Sequence, residues 1–273
     1  MYEAFYKLQA DPFMMSPDHR FSYPHRSYTK ARSHLEYGLL RGEGLVVVTG
    51  APGMGKSTVI NDVLEQYSKQ HNIQVARLQT TQLEINDLLR MVAYAFGINA
   101  DRMDKPTVLN RIEEYLHQQY DARRRVLLII DEAQHLNENS LEEMRLLTNI
   151  QRDSNHRFQI FLLGQPGLQD LVRGPSMEQL RQRIVAISNF EPLNEEETRD
   201  FILHRLTVAG WDGDPEITGK AASLIHRFSE GIPRRINMIC SRLLLHGAVD
   251  EKHLLDVDDV RGVLEELPIE MTE

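Results

Sequence analysis

Gly50-Ala51-Pro52-Gly53-Met54-Gly55-Lys56-Ser57 is the stretch on which the reading of this chain turns. It satisfies the full pattern G-x-x-x-x-G-K-[ST]. Its glycines let the backbone curl so that successive N–H groups point into one concavity, a shape suited to phosphate oxygens. The apolar run Leu45–Thr49 precedes it. From Lys56 onward Val59, Ile60, Val63, Leu64 and Tyr67 recur at helical spacing, predicting a helix over Lys56–His71. A strand feeding a glycine turn that opens a helix is the context the motif requires, because the helix adds its positive N-terminal end to the ring of donors. A glycine-rich turn with a chance lysine is the competing explanation, and the flanking strand and helix weigh against it. The expected ligand is ATP with Mg²⁺. Gly50, Pro52, Gly53, Met54, Gly55, Lys56, Ser57 and Thr58 are its expected binding set. Lys56 is expected at the β- and γ-phosphates, and Ser57 supplies an oxygen to the metal.

Working outward, further apolar runs occur at Gln74–Leu78, Val126–Ile130, Phe158–Leu163 and Ile184–Ser188. Helical patterns separate them at Leu83–Phe96, Thr107–Tyr120 and Ser140–Arg152, and another precedes the first strand at Ser27–Leu40. Apolar strands alternating with amphipathic helices predict an α/β fold: a five-stranded parallel sheet with helices on both faces. Val126–Ile130 runs into Asp131-Glu132-Ala133-Gln134. A buried parallel strand delivers its C-terminal residues to the ligand crevice. Asp131 there would hold Mg²⁺, and Glu132 would orient and deprotonate an attacking water. Alone, the pair could simply cap the following helix. With a phosphate loop upstream, the chemical role is favoured. A carboxylate beside the magnesium aspartate favours hydrolysis over phosphate transfer to a metabolite.

Beyond Pro192 the pattern changes. Helical stretches follow at Asn194–Ala209, Pro215–Glu230, Pro233–His246 and Val257–Glu266, with no strand candidate among them. The predicted organisation is an N-terminal arm over 1–26, a nucleotide-binding core over 27–192, a small helical lid over 193–267 and a tail over 268–273. Pro12, Pro17 and Pro24 keep long helices out of the arm, which reads as extended chain packed on a larger body. Charged residues make up 26% of the chain and the net charge is -9, so a pervasive basic footprint for nucleic acid is absent. Cys240 is the single cysteine, which excludes an internal disulfide and reads as a small buried apolar residue. The N-terminus has no secretory pattern, and no apolar run approaches the roughly 18 residues that span a bilayer. The expected location is the cytoplasm, with recruitment to the inner membrane face left open.

These motifs, in this order, resemble AAA+ ATPases. Closer still, the chain resembles the general secretion pathway protein A-like ATPases, including those of MSHA pilus and exosortase systems. The resemblance extends over nearly the whole chain. Its carriers include Tyr2-Glu3-Ala4-Phe5-Tyr6, Pro12-Phe13, Pro17-Asp18, Leu35-Glu36-Tyr37-Gly38-Leu39, the phosphate loop and Asp131-Glu132-Ala133-Gln134. Further carriers are Leu163-Gly164-Gln165-Pro166, Gln179-Leu180-Arg181-Gln182-Arg183-Ile184, His204-Arg205-Leu206 and Gly231-Ile232-Pro233-Arg234-Arg235-Ile236-Asn237.

The resemblance implies roles that spacing does not supply. Gln165 falls where the fold sets a polar residue near the γ-phosphate; an ordinary strand-to-loop glutamine is the equal alternative. Arg183 falls where relatives present an arginine finger to the next subunit's nucleotide, with Arg181 as the fallback. Arg234 matches the lid arginine that reaches the nucleotide in cis, and Arg235 is expected in solvent or a salt bridge. The chain departs from the family at His19 and Pro24, so adenine is assigned only loosely to the surroundings of Pro12, Phe13 and Gly38; Met54 is an unusual filler in the phosphate loop. Many relatives continue into a membrane span and a peptidoglycan-binding region, and that function is not carried over.

Two purposes compete. One is a nucleotide-assembled homo-oligomer, a ring such as a hexamer or a filament, that energises assembly of an envelope secretion, pilus or polysaccharide-export system. The other is a DNA-engaged AAA+ regulator of the transposition type. A basic stretch, His19, Arg20, His25, Arg26, Lys30 and Arg32, would serve the second. A solvated arm balancing the acidic remainder is the favoured account of it. A small-molecule phosphotransferase is a third and weaker reading.

Overall fold

The computed structural model describes residues 2–16, 18–67, 72–79, 84–150 and 158–266. In chain order the elements are α1 (Tyr2–Phe5), α2 (Arg26–Arg41), β1 (Gly44–Thr49), α3 (Lys56–Tyr67), β2 (Ile73–Gln79), α4 (Ile85–Ala95), α5 (Lys105–Asp121), β3 (Arg125–Asp131), α6 (Glu138–Leu147) and β4 (Phe158–Gly164). There follow α7 (Pro166–Arg173), α8 (Glu178–Arg183), β5 (Ile184–Asn189), α9 (Glu195–Val208), β6 (Glu216–Ile217), α10 (Gly219–Ser229), α11 (Pro233–Val249), β7 (Leu254–Leu255) and α12 (Val257–Glu265). Each of the five apolar runs is a strand, to within a residue at either end. Pro17, the helix ends expected at residues 68–71, 83 and 151–152, Leu267 and the tail over 268–273 lie outside the described residues.

The chain divides into two compact units, and it crosses between them inside the phosphate loop. One unit comprises residues 29–52 and 59–190. Its five strands form a parallel sheet in the order β2-β3-β4-β1-β5. Both faces are buried, which is why the strands read as unbroken apolar runs. On one face Leu45, Val47, Leu128, Ile130, Ile160 and Leu162 share a core with Leu89 and Val92 of α4, Ile112 and Leu116 of α5, and Met144 of α6. On the other, Val46, Leu127, Ile129 and Phe161 are equally buried. There Gln159 points its amide at α2, donating from Nε2 to the Gly38 carbonyl at 2.7 Å. A buried side-chain amide with a partner of this kind costs little, whereas an orphaned one would be expensive. Helices therefore cover both faces, as the alternation predicts.

The second unit holds residues 1–28, 53–58 and 191–273. Ile236, Ile239, Cys240, Leu243 and Leu244 of α11 pack with Ile202 and Leu206 of α9, Ile225 of α10 and Val260 of α12. The N-terminal residues Tyr2, Tyr6, Phe13 and Phe21 belong to this same core. They are fixed by Tyr6 Oη donating to the Lys252 carbonyl at 2.9 Å and by Arg205 Nε donating to the Pro12 carbonyl at 2.5 Å. The Arg205 guanidinium also lies 5.2 Å from the Phe21 ring centre and 5.5 Å from that of Phe201. One expectation fails: this region does contain strands, because β6 and β7 pair in parallel, Glu216 with Leu254 and Ile217 with Leu255. A two-residue strand is too short to display alternation, so periodicity cannot reveal it. Cys240 is fully buried as a free thiol, and burial pushes its pKa up.

Candidate functional site

β1 delivers the phosphate loop to the C-terminal edge of the sheet. Its end is held on both sides: Gly50 N donates to Gly164 O at the end of β4 at 3.2 Å, and Phe190 N beyond β5 donates to Thr49 O at 2.8 Å. Past Pro52 the loop belongs to the other unit. Gly53 has φ +81°, a conformation that glycine adopts without penalty. A Cβ there would lie 2.6 Å from Cβ of Arg234, and Arg234 N donates to Gly53 O at 3.2 Å. Arg234 thus meets the loop through its backbone at the start of α11, with its side chain exposed. Met54 is buried, while Gly55, Lys56, Ser57 and Thr58 are half-buried in the turn that opens α3. The first N–H groups of a helix have no partner within it, so this turn offers donors to an anion. Arg235 forms an ion pair with Glu230 at 2.6 Å, as its expected salt bridge requires.

On the sheet unit, β3 ends at Asp131 and brings it to the same edge that receives Gly50. Asp131 Oδ1 accepts from Glu132 N at 2.9 Å. Glu132 has φ 55° and ψ 35°, a left-handed conformation unusual for a residue with a Cβ. Both carboxylates are half-buried. Gln134 Nε2 donates to Glu132 Oε2 at 2.6 Å, and Gln134 Oε1 accepts from Gln165 N at 3.0 Å. Glu132 and Gln165 are therefore joined through Gln134, a residue with no expected role, while Asp131 is tied to the Glu132 backbone. Gln165 itself precedes α7, and its side chain does not cap that helix.

Arg183 stands elsewhere. It ends α8 and leads into β5, at the N-terminal edge of the sheet, where it lines an open cleft with Tyr37, Arg41, Gly44 and Ile184. β1 separates that edge from Gly50 by roughly 16 Å at about 3.3 Å per residue. The Arg183 side chain is exposed and makes no hydrogen bond or ion pair among the described residues. Arg181 is committed to the fold: its Nη1 donates to the carbonyls of Val172 at 3.2 Å and Gly174 at 2.6 Å. In the basic N-terminal stretch, Arg20 pairs with Asp18, Arg26 with Glu191 and Arg32 with Glu36. Among the described residues no helix is long and apolar enough to cross a membrane.

Residues 40–172 match the family described as AAA domain. The chain is 36% identical over 261 residues to general secretion pathway protein A of Aeromonas hydrophila, covering 95% of this chain and 47% of that protein. It therefore spans about half the length of this relative. Among solved structures, Cdc6p from Pyrobaculum aerophilum superposes with a TM-score of 0.69 at 16% identity, over 93% of this chain and 72% of that one. The RuvB Holliday junction branch migration motor of Thermotoga maritima gives 0.58 at 20% identity, over 90% and 70%. The two structures share the fold. The chain belongs to the AAA+ ATPase family, on its general secretion pathway protein A-like branch.

Proposed function

We propose that this protein binds ATP with Mg²⁺ and hydrolyses it to ADP and phosphate. The observation that carries the reading is the acidic pair Asp131–Glu132 at the end of β3, on the sheet edge that also receives the glycine loop from β1. The loop fits a triphosphate: Gly53 and Gly55 adopt positive φ, and the helix-opening turn at Lys56 presents N–H groups beside a lysine. Lys56 would neutralise the β- and γ-phosphates, and Arg234 would contact the same nucleotide from α11. Ser57 and Asp131 would hold the metal, which needs only one or two protein oxygens beside phosphate and water, and which would neutralise charge developing on the phosphoryl oxygens. Glu132 would take a proton from water as its oxygen attacks the γ-phosphorus, and the bond to the β–γ bridging oxygen breaks to release ADP. The test is Glu132→Gln. This variant should retain ATP binding and lose hydrolysis by roughly 10²- to 10⁴-fold, the usual worth of a general base. Hydrolysis at the wild-type rate would refute the assignment.

Arg183 is too far along the strand to serve its own nucleotide, so we infer that it completes the site of a neighbouring copy. A planar, permanently charged donor suits the charge spread over a transferring phosphoryl group. The assembly would be a ring or filament of identical chains in head-to-tail contact. The extensive identity with general secretion pathway protein A supports work as an assembly or energising factor for an envelope secretion, pilus or polysaccharide-export system, on the cytoplasmic side of the membrane. Recovery of envelope components with the tagged chain from its native host is the corresponding check, and none recovered would count against it. The DNA-engaged reading draws no support from the basic N-terminal stretch, where three of the arginines are paired with carboxylates.

A further inference from the structure

We propose that Gln134 is a positioning residue for hydrolysis, tying the Glu132 carboxylate to the start of α7. The proposal rests on Glu132 acting as the base, as argued above.

A single side-chain amide uses both of its ends here. Nε2 donates to Glu132 Oε2 at 2.6 Å, and Oε1 accepts the N–H of Gln165 at 3.0 Å. A hydrogen bond to a charged acceptor is stronger than a neutral pair and more directional than a bare ionic contact. The second bond matters equally, because an amide held at only one end would rotate. Gln165 N is one of the unpaired donors at the opening of a helix, so its bond to Gln134 also anchors that helix to the turn. Gln134 is therefore braced by α7 and in turn braces Glu132.

The local backbone is arranged to permit this. Ala133–His135 form a single tight turn, with His135 N donating to Glu132 O at 3.0 Å and Leu136 N to Ala133 O at 3.1 Å. Ala133 is fully buried and packs into the sheet core, which fixes the turn from beneath. Glu132 takes up the left-handed conformation that reverses the chain, one that residues with a Cβ rarely adopt. Gly164 leaves room for the amide: a Cβ there would lie 2.9 Å from Gln134 Oε1. A strained backbone, a braced side chain and a cleared path converge on the orientation of one carboxylate. Orientation is what a general base requires, since the acceptor must lie within hydrogen-bond reach of the water proton in the reacting geometry. The same tether couples Glu132 to the β4–α7 corner, so a displacement at Gln165 reorients the base.

Two variants divide the tether. Gln134→Leu removes both bonds at similar size. Gln134→Glu keeps an acceptor for Gln165 N and removes the donor to Glu132. Steady-state hydrolysis and equilibrium nucleotide binding would be measured on the full chain, with Glu132→Gln in parallel. Both variants should lower kcat by roughly 10- to 100-fold, within the worth of a positioned base. For Gln134→Leu the nucleotide Kd should stay within about threefold, and adding Glu132→Gln to it should cost less than Glu132→Gln alone does in the wild type, since residues that act as a unit are not additive. Gln134→Leu with wild-type kcat would overturn the proposal while leaving Glu132 as the base. A loss of kcat matched by an equal loss of nucleotide binding would also overturn it, because a merely structural residue behaves that way. Full hydrolysis by Glu132→Gln would remove the base and the tether together.

Discussion

At the scale of single residues, arginines of equal charge sit in opposite surroundings. Arg183 and Arg205 are both arginines, yet the Arg183 side chain is exposed with no hydrogen bond or ion pair among the described residues, while Arg205 is buried. Burial lowers the Arg205 pKa to about 10, still far above neutrality, so it remains a cation inside the helical unit. Its Nε holds the Pro12 carbonyl and its Nη2 reaches that of Met14 at 3.5 Å. Arg205→Met keeps much of the volume but strands these acceptors, so unfolding stability should fall by about 1–3 kcal/mol in urea titration. A change below about 0.5 kcal/mol would show that the guanidinium does not anchor the N-terminal residues. His25 and His204 give this unit a pH dependence. Burial lowers both pKa values, so the unfolded chain binds protons more readily than the folded one. Stability should therefore rise with pH across the window below the ordinary histidine value of about 6.5, and fall as pH drops through it. The double variant His25→Gln, His204→Gln should flatten the urea midpoint between pH 7 and 5; an unchanged slope would assign the effect to other groups.

At the scale of elements, caps and strand ends do most of the specifying. Asn194 accepts from Glu197 N at 2.8 Å, and Glu197 Oε2 accepts from Asn194 N at 3.0 Å, a reciprocal box that starts α9. Asn194→Ala should cost about 1 kcal/mol. An unchanged melting temperature would mean that tertiary packing alone fixes the start of this helix. The five strands and the longer helices were legible because burial on both faces writes continuous apolar runs, and helices write a 3.6-residue period. The placement of the glycine loop and of Asp131–Glu132 at strand ends was legible because each directly follows an apolar run. α7 and α8 were not foreseen: at Pro166–Arg173 and Glu178–Arg183 they are too short to establish a period. β6 and β7 escaped for the same reason. Gln134 escaped because its importance lies in two contacts, one of them with a residue 31 positions away, which no local pattern encodes.

At the scale of the whole molecule, the proposed trans role of Arg183 requires more than one chain. Gly50, where the glycine loop begins, and the acidic pair lie at one edge of the parallel sheet, and Arg183 lies at the other. A site that needs all of them needs two copies in head-to-tail contact, and activity must then depend on how often copies meet. The most direct test is ATP hydrolysis per molecule as a function of protein concentration, for the wild type and for Arg183→Ala. Wild-type specific activity should climb with concentration to a plateau. Arg183→Ala should bind nucleotide normally and lose activity by roughly 10³-fold or more, the scale of an arginine finger. Specific activity that is flat with concentration and indifferent to Arg183 would contradict the trans role, and would mean that one chain carries a complete site.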